Sequence, residues 1–397
     1  MHATIVRRAD SRDTAQMNAD AQPEERTASQ VEAAAAFARN LQVDPRLGAI
    51  VPGFDAPFFQ AGLAGYSDGA MRLIARRHGC PYCVTEALLD RTLLSGGKGR
   101  RKEDPDLLAE TCGMGDPDAN RAAGLDDHPI AGQIMGTDPD EMARGSAMLV
   151  EMGYDVIDVN LACPVKKIRR RHRGGHFLQV PDEAIAVLSA VRQAVPDTIP
   201  CTVKMRRAFD DTPDMAAAFE RIFNHVYDIG YAWATVHART VEQKYVGPSR
   251  WSFLRELVER HSDKVIFGSG DIWQVHDIFL MLEATGLQGV AIARGCIGNP
   301  WIFRQARALM AGEAVREPTI AEQRDALRAH FDFSATIHGD RKASRMMRKF
   351  GIKFSSHHPN GDAVRKAFIQ AECTGQWHAV LDQHYSQSNP LTAVVDP

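Results

Sequence analysis

From Phe58 onward, short apolar runs alternate with stretches in which apolar residues recur every three or four positions. The runs at 58–61, 83–86, 130–134, 156–160, 202–205, 235–237, 265–268 and 289–293 read as eight strands. Most are continuously apolar, the texture of parallel strands covered on both faces. Between them lie helical patterns. In Asp138-Pro139-Asp140-Glu141 an N-cap acid, a first-position proline and an acid three residues after the cap precede Met142, Gly145 and Leu149 at helical spacing. Ile185, Leu188, Val191 and Val195 mark a second stripe, and Val275, Ile278, Phe279 and Leu282 a third. Strand then helix, repeated over roughly 250 residues, predicts an α/β fold, a (β/α)8 TIM barrel. A doubly wound sheet is the alternative, disfavoured because no strand is followed by a Gly-x-Gly-x-x-Gly turn.

The pattern also divides the chain. Residues 1–45 read as a mobile N-terminal extension in which only 31–37 could make a short helix. The barrel is expected over 46–315, with an unusually long loop at 95–128. After Pro318 the strands stop, and 318–390 reads as a C-terminal helical domain carrying Arg341, Lys342, Arg345, Arg348, Lys349, Arg365 and Lys366. A net charge of −3 excludes a globally basic nucleic-acid binder but allows a local basic surface. No apolar run approaches the roughly 18 residues of a membrane span, and the N-terminus lacks a signal-like apolar core, so a cytoplasmic protein with no membrane contact is expected. Seven scattered cysteines suggest reduced thiols.

In such a barrel, active groups gather at the C-terminal strand ends. Those ends are Glu86, Gln133, Asn160 with Cys163 beyond it, Lys204 with Arg206, His237 with Arg239, Ser269-Gly270-Asp271 and Ala293-Arg294-Gly295. The glycine turns after the seventh and eighth strands let backbone N–H groups approach an anion, which points to a phosphate-bearing cofactor. Lys204 would then lie against the cofactor's redox-active face and stabilise its anionic reduced form; otherwise it is a surface lysine past a strand. Cys163 precedes Lys166, Lys167, Arg169, Arg170, Arg171, His172 and Arg173, so positive charge is expected to favour its thiolate. The thiol suits a proton donor desolvated on closure, with Gly174-Gly175 as a mobile lid; the alternative is a small residue packing under a loop. Cys80-x-x-Cys83 stands where a helix ends and a strand begins, the wrong setting for a dithiol, and a metal would need Cys112 or His78. Packing at the strand entrance is the preferred reading, with no metal assigned.

Taken in order, Ala61–Asp68 (AGLAGYSD), VTEAL, GQIMGTDP, DVNLACPVKK, VKMR, VHARTVEQKY, GSGDI, ARGCIGNPWIF and a late RKF resemble the flavin-dependent tRNA-dihydrouridine synthase family, with its bacterial B-type branch nearest. The resemblance runs from about Phe58 to Thr374. It implies FMN over the barrel mouth, with Ala61, Gly62, Leu63, Gln133, Lys204 and His237 at its ring or ribityl portion. Ser269, Gly270, Ala293, Arg294 and Gly295 would hold its phosphate region. It implies NADPH as reductant, hydride transfer from the flavin to C6 of a flipped uridine, and a proton from Cys163 to C5. Asn160, Lys204 and Arg206 would hold the uracil edge, and Arg239 is a further substrate-binding candidate. Arg341, Arg345, Arg348 and Lys349 would meet the phosphates of a tRNA, with rRNA left open and no obligate protein partner evident.

The chain departs from the family pattern at Gly62-Leu63, where Pro-Met is usual, at Ser269 for Asn, and at Ala293 and Ala162 for Gly. All are small or conservative changes, and the cysteine is retained, so an active enzyme is expected. Two rivals predict different behaviour: an FMN barrel oxidoreductase on a small molecule has no use for the basic helices, and a non-catalytic RNA-binding homologue would be colourless.

Overall fold

The computed structural model describes residues 25–94 and 126–386. Its strands are β1 (Phe58–Gln60), β2 (Cys83–Val84), β3 (Leu88–Leu89), β4 (Ile130–Met135), β5 (Val156–Leu161), β6 (Cys201–Arg206), β7 (Trp233–His237), β8 (Ile266–Ser269) and β9 (Gly289–Ile292). All pair in parallel, and β1 closes on both β2 and β9. β2 and β3 both pair with β4, so they are two pieces of one barrel position and the ring has eight. The expected (β/α)8 barrel is therefore present, and every predicted strand falls on an observed one.

Local chemistry explains why the helices start where they do. Asp138 accepts a hydrogen bond from the Glu141 N–H at the head of Pro139–Glu151, and Met142, Gly145 and Leu149 form its buried face. Val275, Ile278, Phe279 and Leu282 are buried along Val275–Thr285. In the second predicted stripe the buried face is Ala184, Val187, Leu188 and Val191 of Pro181–Ala194, and Ile185 lies off it.

The alternation along each strand decides what faces the axis. Val156 joins the cluster inside the ring, while Ile157, Val159 and Leu161 pack outward against helices. At the N-terminal end of the ring Phe54 stacks on Tyr82 and Phe267 at 5.0 and 5.7 Å, and Phe59 and Trp233 complete an aromatic plug. Above this plug lies a polar layer of Gln133, Asp158, Lys204 and Thr235, which forms the floor of the site.

The reading of 1–45 as mobile needs correction from Arg26 onward. Ala28–Asn40 is a helix capped by a reciprocal Thr27–Gln30 pair, with Ala34 and Ala38 buried. It packs on Val275–Thr285 and Trp301–Met310. An alanine face hides this in the sequence: it buries little area per residue, so the apolar stripe is faint, yet it allows close helix approach. Most of the 95–128 loop and residues 1–24 lie outside the described residues.

The C-terminal helices are Ile320–His338, Asp340–Phe354, Gly361–Gln370 and Thr374–His384. They rest on the barrel helix Gly69–Arg77, with Phe333 packed on Ala70, Leu73 and Ile74. His338 meets Asp68 at 2.8 Å across this junction, with both side chains buried. Gly298 supplies a second contact, because a Cβ there would lie 2.5 Å from Lys353 Cβ.

Candidate active site

A cavity of about 400 Å³ opens at the C-terminal ends of the strands, within the roughly 300–1,000 Å³ common for cofactor sites. Of the residues expected there, Gly62, Leu63, Gln133, Asn160, Cys163, Lys204, Arg206, His237, Ser269, Gly270, Ala293 and Arg294 line it. Ala61 lines the barrel interior just beneath. Gly295 is beside the cavity, in a turn so close to its neighbour that a Cβ would lie 2.3 Å from the Ile272 carbonyl oxygen.

Parallel register sets Gln133 beside Asp158 and Asp158 beside Thr202. A directed hydrogen-bond chain results. Thr202 Oγ1 donates to Asp158 at 2.6 Å, Gln133 Nε2 donates to Asp158 at 2.7 Å, and Asn160 Nδ2 donates to Gln133 Oε1 at 2.7 Å. Asn160 Oδ1 then accepts the backbone N–H groups of Ala162 and Cys163 at 3.0 and 3.1 Å. Those two backbone donors fix the Asn160 amide, which fixes Gln133, so the Asp158 oxygen facing Gln133 must be an acceptor. Burial raises the Asp158 carboxyl's pKa, against its bonds to Thr202 and Gln133 and the pull of Lys204. The Cys163 loop is thus tied to the barrel interior.

The expected thiolate is corrected by this geometry. Burial raises the Cys163 pKa above its usual value, and the Val165 backbone, Arg206 and Lys204 only partly oppose it. The thiol form is favoured, because desolvation outweighs Arg206 and Lys204, the cations that bear on it. Gly174-Gly175, read in the sequence as a lid, packs directly against Cys163. Gly174 has a φ of +58°, and a Cβ there would lie 2.8 Å from Cys163 Cβ. The Gly175 N–H donates to the Cys163 carbonyl at 3.0 Å. These glycines permit close contact with Cys163. Arg173 reinforces the contact through a buried ion pair with Asp90 at 3.0 Å. Gly174→Ala is therefore expected to cost about 1–3 kcal/mol in urea unfolding and to displace Cys163, slowing its alkylation or turnover.

Cations dominate the rest of the wall. Burial, then Arg206, brings Lys204 down to about 8, leaving it mostly protonated at neutral pH. Arg206 is lowered to about 10, chiefly by burial, and remains charged. Burial, with Arg206, Lys204, Arg239 and Arg294 around it, holds His237 well below the usual imidazole range, so it is neutral. Arg206 also donates to the carbonyls of Ala162, Thr240 and Lys244 at 3.0, 2.8 and 2.6 Å, joining the Cys163 loop to the loop after β7.

Arg239 is not on the cavity wall, which corrects its expected substrate contact. It is 1% exposed and forms a forked pair with Asp271 at 2.7 and 2.8 Å, with further bonds to the Gly247 carbonyl. Asp271, at φ +60°, also accepts the Ser249 N–H, so Arg239 holds the Gly270–Asp271 turn from behind.

Arg341, Arg345 and Arg348 lie exposed on Asp340–Phe354, away from the helix's buried face. Lys349 is half-buried, 4.3 Å over the Tyr66 ring at the junction with the barrel. Cys80 and Cys83 are buried with their sulfurs 3.8 Å apart. Among the described residues no three His, Cys, Asp or Glu side chains gather as metal ligands, and Cys112 lies outside those residues.

Three site residues went unread in the sequence. Tyr245 lines the cavity between Arg206 and Arg294, at 5.4 and 5.1 Å, and Trp273 lies 4.3 Å from Arg294. Asp158 was legible in principle, being two positions before Asn160 and so on the same face of β5. The donor set suits an anionic, ring-bearing cofactor: three cations, a neutral imidazole and two glycine turns around a largely apolar hollow.

Residues 59–389 match the family model described as "Dihydrouridine synthase (Dus)". A "Probable tRNA-dihydrouridine synthase" of Mycobacterium tuberculosis is 32% identical over 262 residues, covering 65% of this chain and 66% of that protein, just under two thirds of its length. A "tRNA-dihydrouridine synthase B" of Xanthomonas campestris pv. campestris is 30% identical over 338 residues, covering 85% of this chain and 94% of that protein. Among solved structures, a 2-naphthoyl-CoA reductase complex superposes with a TM-score of 0.50 at 10% identity, over 87% of this chain and 70% of that one, a likeness of fold alone.

Proposed function

The chain belongs to the dihydrouridine synthase family, and from that premise we propose that it reduces the C5=C6 bond of uridines in tRNA, with FMN as resident cofactor and NADPH as reductant. One observation carries the reading: Cys163, Lys204, His237 and Arg294 converge from separate strand ends on a single cavity at the barrel mouth. The apolar part of that hollow, with Leu63, Met135 and Ala291, suits a flat ring system. Arg294 and the glycine turns at 268–271 and 293–295 suit its phosphate, and Lys204 suits the electron-accepting edge of the ring. When bound, the reduced flavin supplies hydride to C6 of the uracil.

The protein's part is to hold the base and deliver a proton. Cys163 retains its proton because burial outweighs the nearby cations, and it gives that proton to C5. Asn160 and Arg206, expected at the uracil edge, also fix the Cys163 loop through backbone bonds. A uridine has to leave its stack to reach this depth. The exposed Arg341, Arg345 and Arg348 would meet RNA phosphates and set its register, so affinity falls steeply with salt. Work on tRNA would place the protein in the cytoplasm.

The test is to map dihydrouridine in RNA from cells with and without this gene. The reading expects one or more tRNA positions to lose the modification when the gene is removed; an unchanged map of both tRNA and rRNA would contradict it.

A further inference from the structure

The N-terminal helix and Arg26 just ahead of it lie before the residues that match the family, yet Arg26 reaches the helix that follows the first glycine turn. Ala28–Asn40 packs across Val275–Thr285 and Trp301–Met310, the helices that follow the two glycine turns. Just ahead of it, Arg26 Nε donates to Asp277 Oδ1 at 2.6 Å, and the Asp277 side chain is 1% exposed. The other oxygen, Asp277 Oδ2, accepts the N–H groups of Trp273 and Gln274 at 2.8 and 2.9 Å. The Trp273 ring lies 4.3 Å from the Arg294 guanidinium. The same segment also touches the second turn, because a Cβ on Gly295 would meet the Ile272 carbonyl and lie 3.1 Å from Trp273 Cα.

Resting on the function proposed above, we infer that the Arg26 end of the N-terminal segment is a strap behind the phosphate end of the cofactor site, and that Arg26 is a positioning residue for Arg294. Arg26 does not touch the cavity. It neutralises Asp277, whose carboxylate sets the backbone of 273–274, and that backbone in turn sets Trp273 and the 293–295 turn. A charged hydrogen bond to a buried carboxylate is stronger than a neutral one and costly to leave half-made. Removing Arg26 leaves Asp277 buried without its cation, which favours rearrangement of the turn that Trp273 and Gln274 form. The ligand group affected is a phosphate monoester; the ring end is held by other strands.

The test compares FMN with riboflavin, which lacks the phosphate, on the full chain. Flavin release after dilution is followed by the rise in free-flavin fluorescence for wild type, Arg26→Ala, Arg26→Lys and Arg294→Ala, each checked by circular dichroism to be folded at the assay temperature. Arg26→Ala is expected to speed FMN release roughly 10-fold, to leave riboflavin affinity unchanged, and to be partly rescued by Arg26→Lys. FMN release unchanged in Arg26→Ala but faster in Arg294→Ala overturns the strap. Equal weakening of FMN and riboflavin also overturns it, since that is a general loss of structure. Release unchanged in both variants overturns the phosphate-end reading on which the strap rests.

Discussion

Cys163→Ala is expected to lower dihydrouridine formation by roughly 10²–10⁴-fold while leaving flavin content and flavin reduction by NADPH at wild-type levels. The separation follows from where the sulfur is held. Asn160 Oδ1 grips the loop through the Ala162 and Cys163 N–H groups, and Gly174 presses on it from the other side. None of these contacts uses the thiol, so alanine keeps the loop while removing the proton. The thiol is also protected from ionising: burial outweighs Arg206 and Lys204, so any loss of activity that traces to Cys163 ionising should fall above the ordinary thiol range. Anaerobic single-turnover measurements separate flavin reduction from product formation, and a variant that still forms dihydrouridine at the wild-type rate would remove Cys163 from the chemistry.

Lys204→Met carries the second large effect, at a different step. Lys204 lines the cavity with Arg206, Cys163 and Asp158 near enough to bias its charge. Its ammonium is available to stabilise negative charge on a reduced ring in a site sheltered from water, and loss of one such group costs about 10²–10³-fold. Flavin reduction by NADPH should therefore slow by that order, and flavin retention should weaken. The pH dependence identifies the group. Burial brings Lys204 down to about 8, so its charge is present below that pH and is lost as pH rises through it. Wild-type flavin reduction should decline above about pH 8, and Lys204→Arg should move that decline upward. A decline at the same pH in Lys204→Arg would assign it to another group.

Much of the barrel was legible because strands buried on both faces appear as apolar runs with polar residues where they meet the mouth. Gln133, Lys204 and His237 were found that way, and their register brings them together as strand ends should. What the sequence could not convey is how far a side chain is already committed. Arg239 reads as a cation at a strand end, but Asp271, 32 residues later, claims its guanidinium. Gly174-Gly175 reads as a hinge because glycine serves both flexibility and close approach, and only the nearness of Cys163 separates the two. The basic run after Cys163 suggested a thiolate, yet desolvation, which has no sequence signature, decides its proton. The Arg26–Asp277 pair joins residues 251 positions apart, beyond any local pattern.

In the proposed mechanism one cavity joins a reduced flavin to an RNA uracil across Cys163. That mechanism is tested most directly by reducing the purified flavoprotein with NADPH under anaerobic conditions, adding unmodified tRNA, and recording flavin absorbance. The oxidised flavin spectrum is expected to return on RNA addition, with dihydrouridine formed in equal amount. A flavin that stays reduced with tRNA but is reoxidised by a small unsaturated carbonyl compound would contradict it.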